Sequence, residues 1–168
     1  DAGTVSDFLG MTGNGRLAIV PALVRGGERV SSSRIRALLE SGDVETAALL
    51  LGRPYRTTGF RESGDGIGRT LGFPTINLGG IGNMIPGHGV YLAHCELSDG
   101  GEYPAMVYIG TRPTYAGQQE RLEVHLLAPA PEVLPGDEVR IGFRARLRDE
   151  RHFARREDLV AQLELDRA

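Results

Sequence analysis

The chain has no lysine: all nineteen of its basic residues are arginine. A Walker-type phosphate loop, whose lysine reaches the phosphates, is thereby excluded, and so is Schiff-base chemistry. Cysteine occurs once, as Cys95, so no disulfide can close within these residues and a reducing compartment is expected. No apolar run is long enough to span a bilayer and no signal peptide stands at the start, which together lead to the expectation of a cytoplasmic chain without a membrane partner. His88, His94, His125 and His152 lack zinc-ligand spacing and a cysteine partner. Neither a Gly-x-Ser-x-Gly elbow nor a GxGxxG that follows a strand and opens a helix is present. A net charge of −3 gives no electrostatic reason to expect nucleic acid. What remains is 168 residues, 40% hydrophobic, enough for one medium domain or a domain with a partial neighbour.

The stretch up to about Tyr55 differs in pattern from the rest. Leu17–Val24 is an apolar strand candidate, followed by the turn signal Gly26-Gly27. Ser31-Ser32-Ser33 then supplies an N-cap for a helix over Arg34–Glu40, with Gly42 as its stop. A second helix is expected over Val44–Leu51, ending at Gly52-Arg53-Pro54. Beyond Tyr55 come short strands separated by Gly/Pro/Asp-rich turns: Arg56–Arg61, Gly89–Leu97, Tyr103–Ile109, Leu122–Leu127 and Asp137–Leu147. That pattern predicts an antiparallel barrel or sandwich. Leu159, Val160, Leu163 and Leu165 predict a C-terminal helix from about Arg155 to Arg167. Cys95 reads as a buried strand residue.

The run from Gly64 to Asn77, GDGIGRTLGFPTIN, carries the most chemistry. Alternating glycines let successive N–H groups converge on an anion. Thr75 and Asn77 stand two apart, which on an extended segment puts a hydroxyl and an amide oxygen on one face. Such hard oxygen donors suit Mg²⁺ beside phosphates. By themselves the glycines fit an ordinary hairpin loop entering a strand better than a phosphate cradle. Kinase chemistry would further need a carboxylate near the acceptor. Glu123, charged within the apolar strand Leu122–Leu127 and sharing a face with His125, is the candidate; alternation alone also permits both to face solvent. Tyr108–Tyr115 reads as a strand-ending glycine turn in which Arg112, held extended before Pro113, could face an anion. Leu147–Phe153 is a mixed-charge run of the kind that lies on a surface, with Phe153 as a core residue.

Five of these runs, in order, resemble the bacterial bifunctional riboflavin kinase/FAD synthetase family. Gly68–Leu78 (GRTLGFPTINL) is similar to its GR-x-LGFPTANL motif, and Pro86 with Gly89-Val90-Tyr91 to its P…GVY element. Ile109–Thr114 resembles its IGTRPT segment, Glu123–Leu127 its EVHLL strand, and Leu147–Phe153 its LR-x-E-x-x-F run. The resemblance implies a mainly β fold: a six-stranded antiparallel Greek-key barrel with a C-terminal helix over residues 55–168. Residues 1–54 are expected to form a short α/β remnant of a nucleotidyltransferase-like domain with linker helices. The implied activity is transfer of the ATP γ-phosphate to the 5′-hydroxyl of riboflavin, giving FMN and ADP. In that reading Thr75 and Asn77 hold Mg²⁺, and Gly64, Gly66, Gly68, Arg69, Gly72, Pro74 and Thr75 bind the nucleotide phosphates. Glu123 takes the ribityl proton, while Arg148, Glu150 and Phe153 lie toward the flavin.

Val30–Arg36 (VSSSRIR) resembles the late ISSTRIR motif of the same family's adenylyltransferase domain, whose histidine motif has no counterpart here. FAD synthesis is therefore not expected of this chain alone, which by this reading begins inside the family's first domain. Tyr108 stands where the family has an asparagine, Ile76 where it commonly has alanine, and Ala128–Pro131 where it has an acidic segment. These departures fall mostly on the acceptor side. They leave room for a non-catalytic flavin-nucleotide binding module, or for a kinase acting on a modified flavin.

Overall fold

The computed structural model describes residues 21–64, 72–114, 117–151, 153 and 155–167. The chain divides into two compact units, residues 1–30 and 31–168. In the first, β1 (Val24–Arg25) pairs with β2 (Glu28–Arg29) across the Gly26-Gly27 turn. The first half of the Leu17–Val24 strand candidate lies outside the described residues.

The second unit opens with two short helices whose limits follow from their caps. The Ser31 hydroxyl accepts the Arg34 N–H at 3.3 Å and starts α1 (Ser32–Glu40). The helix closes on Ser41, and Gly42 follows at φ +81°. A side chain at Gly42 would be strained by that φ and would also meet the Tyr91 hydroxyl and the Arg146 side chain. Asp43 then accepts the Thr46 N–H at 2.9 Å to start α2 (Val44–Leu51), which ends at Gly52 in the left-handed region. Leu39, Val44 and Ala47 pack into the same apolar cluster as the barrel strands. By packing, then, these helices belong with the barrel in the compact unit that starts at Ser31.

The barrel consists of β3 (Arg56–Glu62), β4 (Ile76–Gly79), β5 (Gly89–Glu96), β6 (Glu102–Thr114), β7 (Gly117–Leu126) and β8 (Glu138–Arg148). It closes in the order β3-β4-β7-β6-β5-β8, every pair antiparallel. Strands β5, β6 and β7 form a meander, and β8 returns to lie beside β5, which is the Greek-key arrangement. Alternate residues point inward: Tyr91, Ala93 and Cys95 from β5, Val107 and Ile109 from β6, Leu122 and Val124 from β7, and Val139, Ile141 and Phe143 from β8, all at most 2% exposed. Tyr91 meets Phe143 edge-on at 5.5 Å between centroids. Burial pushes the Cys95 thiol up to about 12, so it is an inert core residue as its strand position suggested.

Two strand expectations need correction. Strand β6 does not end at a turn around Gly110 but runs to Thr114, pairing with β7 from Ala105↔Leu126 to Thr114↔Gly117. The four-residue β4 is a strand in its own right, bridging β3 and β7. Two register shifts between β5 and β8, at Val90/Tyr91 and Leu92/Ala93, carry extra β8 residues and bring Arg148 opposite Val90. The C-terminal helix α3 (Arg156–Arg167) has Glu157 and Asp158 in its first turn and Arg167 in its last, the charge order its dipole favours. It is tied to β8 by Arg148, whose Nε and Nη2 reach the nearly buried Asp166 carboxylate at 2.7–3.0 Å. Among the described residues no helix is long and apolar enough to cross a membrane.

Candidate active site on the outer face of the barrel

The strand register assembles the candidate site. Asn77 on β4 lies opposite Glu123 on β7, and Glu123 lies opposite Tyr108 on β6. Tyr108 in turn faces Val90 on β5, which faces Arg148 on β8. Directly opposed residues share a face, with Cβ atoms about 4.5–5.5 Å apart. Neighbours on either side of this row (Leu78, Val107, Ile109, Leu122, Val124) point into the core, so the row runs around the outside of the barrel. Three motifs far apart in sequence, those of Asn77, Glu123 and Arg148, thus fall on one line.

Arg121 joins the first two members. Its Nε and Nη2 donate to Asn77 Oδ1 at 3.2 and 3.1 Å, and its Nε also pairs with the Glu123 carboxylate. Two candidate functional oxygens therefore already face one cation. Gly64 packs directly on the Asn77 amide, where a Cβ would overlap it. Gly72 adopts φ +82°, and the Pro74 carbonyl accepts a 2.9 Å hydrogen bond from His125 Nδ1. The ring of Phe73 lies 5.3 Å from that of His125. His125, on the same face as Glu123, thereby clamps the segment that leads into Thr75. Gly66, Gly68 and Arg69 lie outside the described residues.

Thr75 borders a cleft of about 310 Å³ lined by Arg61, Pro74, Ile76, Leu126, Ala130 and Val133 among others. That volume is at the lower end of small-ligand sites. A concavity among Arg56, His94, Glu96, Glu102 and Arg140 holds only about 10 Å³, too little for a nucleotide. Two neutral oxygens, from Thr75 and Asn77, are donors of the kind Mg²⁺ accepts when phosphates and water complete its shell. The residues fit such an ion on the condition that the guanidinium of Arg121 yields Asn77 Oδ1. Among the described residues no three His, Cys, Asp or Glu side chains gather as an alternative metal centre.

On the other side of Glu123, the Tyr108 hydroxyl donates to Glu150 Oε1. The second Glu150 oxygen lies 3.6 Å from His88 Nδ1, and His88 Nε2 lies 3.8 Å from Glu120. Burial raises the Tyr108 hydroxyl well above the usual tyrosine range, and Glu150 and Glu123 add to the rise while Arg121 opposes it. Phe153 is half-buried, with the Arg148 guanidinium 5.9 Å above its ring. Of the three residues expected toward the flavin, Glu150 stands beside the row. The guanidinium of Arg148 is committed to Asp166, and Phe153 supports it.

Neither Arg121 nor Tyr108 was assigned a role from the sequence. Arg121 precedes Glu123 by two, so strand periodicity alone puts them on one face; the connection of Tyr108 with Glu123 requires the register.

Comparisons with known proteins identify the family. The flavokinase family model, described as riboflavin kinase, matches residues 51–168. The bifunctional riboflavin kinase/FMN adenylyltransferase of Escherichia coli K12 is 37% identical over 172 aligned positions, which cover 98% of this chain and 54% of that protein. Its Bacillus subtilis counterpart is 37% identical over 162, covering 94% and 50%. The chain thus spans about half the length of these relatives. A Streptococcus pneumoniae crystal structure, described as a macrolide-efflux protein, superposes with a TM-score of 0.83 at 31% identity, over 98% of this chain and 53% of that one. The match over residues 51–168 spans the whole barrel and α3, and the chain belongs to the riboflavin kinase family.

Proposed function

We propose that this chain transfers the γ-phosphoryl group of ATP to the 5′-hydroxyl of riboflavin, forming FMN and ADP. The observation that carries the proposal is the register Asn77↔Glu123, which sets a carboxylate opposite a magnesium-type oxygen donor two residues from Thr75, and Thr75 lines the cleft of about 310 Å³. The nucleoside end of ATP occupies the cleft beside Thr75, with its phosphates directed toward Asn77. Gly64, Gly72 and Pro74 shape that path, and the family resemblance assigns Gly66, Gly68 and Arg69 to phosphate binding as well. Thr75 and Asn77 would hold Mg²⁺, which when bound would supply charge neutralisation at the phosphates. Glu123 accepts the proton of the 5′-hydroxyl as its oxygen forms the new bond to the γ-phosphorus. The bond from that phosphorus to the bridging oxygen breaks, and ADP leaves. Loose phosphoryl transfer needs little more than this alignment and charge balance. Arg121 would have to release Asn77 Oδ1 for that oxygen to serve as a ligand, and its pairing keeps Glu123 oriented.

The double pairing of Arg121 also favours a second reading: a flavin-nucleotide binding module in which metal ligand and base stay occupied. The two are separated by measuring ADP release and FMN formation with riboflavin, ATP and Mg²⁺. Turnover that disappears in Asn77→Ala is the result expected. Tight flavin binding without ADP release overturns the kinase reading in favour of the second.

A further inference from the structure

We propose that Tyr108 is a hydroxyl-reading group of the acceptor site, holding the hydroxyl adjacent to the one that Glu123 deprotonates. This rests on the kinase reading above and names what the acceptor must carry: a neutral polyol tail with two neighbouring hydroxyls.

Tyr108 is directly opposite Glu123 on the outer face, so two oxygen-bearing side chains stand side by side at the spacing of a cross-strand pair. The phenol proton is given to Glu150 Oε1. A phenol so committed offers only lone pairs to a ligand, and it therefore reads a donor such as an alcohol. The orientation is braced from behind, because the other Glu150 oxygen faces His88 and His88 faces Glu120. Gly110 makes the pairing sterically possible: a Cβ there would overlap both the Tyr108 hydroxyl and Glu150 Oε1. Gly110 sits within a continuous strand, pairing with Arg121, and makes no turn. Its lack of a side chain has its physical reason in the space the phenol and carboxylate need. With Glu123 on one side and Glu150 on the other, the position is flanked by carboxylates. That flank favours a neutral alcohol and disfavours an acceptor that already bears phosphate.

The test compares riboflavin with 4′-deoxyriboflavin, which keeps the 5′-hydroxyl and lacks its neighbour, in wild type, Tyr108→Phe and Glu150→Gln. Wild type should favour riboflavin about tenfold in kcat/KM, the scale of one hydrogen bond. Tyr108→Phe keeps the ring and should lose that preference, slowing riboflavin about tenfold while leaving the deoxy acceptor within twofold. Glu150→Gln retains an acceptor for the phenol and should fall between. Equal slowing of both acceptors in Tyr108→Phe, or an unchanged preference, overturns the proposal while leaving the kinase reading intact. A wild type that phosphorylates neither acceptor overturns both. If Tyr108→Phe does not fold, Glu150→Gln decides: a preference reduced at least threefold supports the role, and an unchanged one removes it.

Discussion

Strands β6 and β7 present two faces made of alternating residues, and the faces obey different rules. Inward, Val107, Ile109, Leu122 and Val124 are at most 2% exposed and touch other apolar groups. What matters there is volume and the absence of polar atoms, so hydrophobic exchanges of similar size are tolerated. Outward, Tyr108, Arg121 and Glu123 each have a named polar partner: Glu150, Asn77 and Arg121 respectively. What matters there is which residue stands opposite which. One residue of slippage between β6 and β7 would exchange the faces entirely. The dry inner face is what holds the outer register in place, and the chemistry depends on it at one remove.

The widest separation of the two faces comes from adjacent residues. Glu123→Gln should lower kcat about a hundredfold, roughly 2.7 kcal/mol of barrier, by removing the proposed base. Its thermal midpoint should stay within a few degrees of wild type. Val124→Ala should do the reverse: a loss of about 2 kcal/mol of unfolding free energy from the missing methyl groups and the space they leave, with kcat/KM of the folded protein within about twofold. Denaturant titration and steady-state assays on both variants check the pair. A Val124→Ala enzyme with full stability and no turnover would show that the faces are not independent.

The inner face was legible in the sequence because it is a local pattern. Period two in Val90–Cys95 and Val139–Phe143, the Ser31 cap, and the glycines after the first two helices needed no tertiary information. Strand β6 was cut short because Gly110 and Pro113 both read as strand breakers, and their tolerance depends on β7 alongside. Strand β4 is four residues long, too short to establish a period. The outer face divides in the same way. Thr75, Asn77 and Glu123 were singled out by residue type and local spacing, and their proposed roles came with the family resemblance. Tyr108 with Glu150 and Arg148 with Asp166 join residues 42 and 18 apart, and no local pattern predicts such partners.

A smaller effect tests whether Arg121 holds the place of a divalent ion. Its guanidinium gives two hydrogen bonds to Asn77 Oδ1 and is about a quarter exposed. Metal binding through Asn77 must displace them at a cost that solvent screening keeps modest. Arg121→Gln should lower the Mg²⁺ concentration for half-maximal activity about three- to tenfold, even where kcat falls because Glu123 loses its partner. A half-saturation that rises or stays fixed would mean that Arg121 and the ion do not compete.

The smallest effect separates the faces by titration. With no lysine in the chain, the five tyrosines dominate proton release between about pH 9.5 and 11.5. Tyr91, pointing inward, is raised above the usual range chiefly by burial. Tyr108, pointing outward, is raised by burial and then by Glu150 and Glu123. In both, the folded state holds its proton to higher pH than the unfolded chain does. The resulting stability is whole below about pH 10 and is lost as pH rises through the raised values. Tyr91→Phe and Tyr108→Phe should each reduce the slope of unfolding free energy against pH above 10, by at most one proton. The two should part company in salt, because screening weakens the carboxylates acting on Tyr108 and leaves burial untouched. The slope assigned to Tyr108 should therefore shrink at 1 M salt, as it should in Glu150→Gln, while that of Tyr91 persists. Identical salt responses would place the two phenols in the same kind of environment, and the outer row would then be no more polar in effect than the core it encloses.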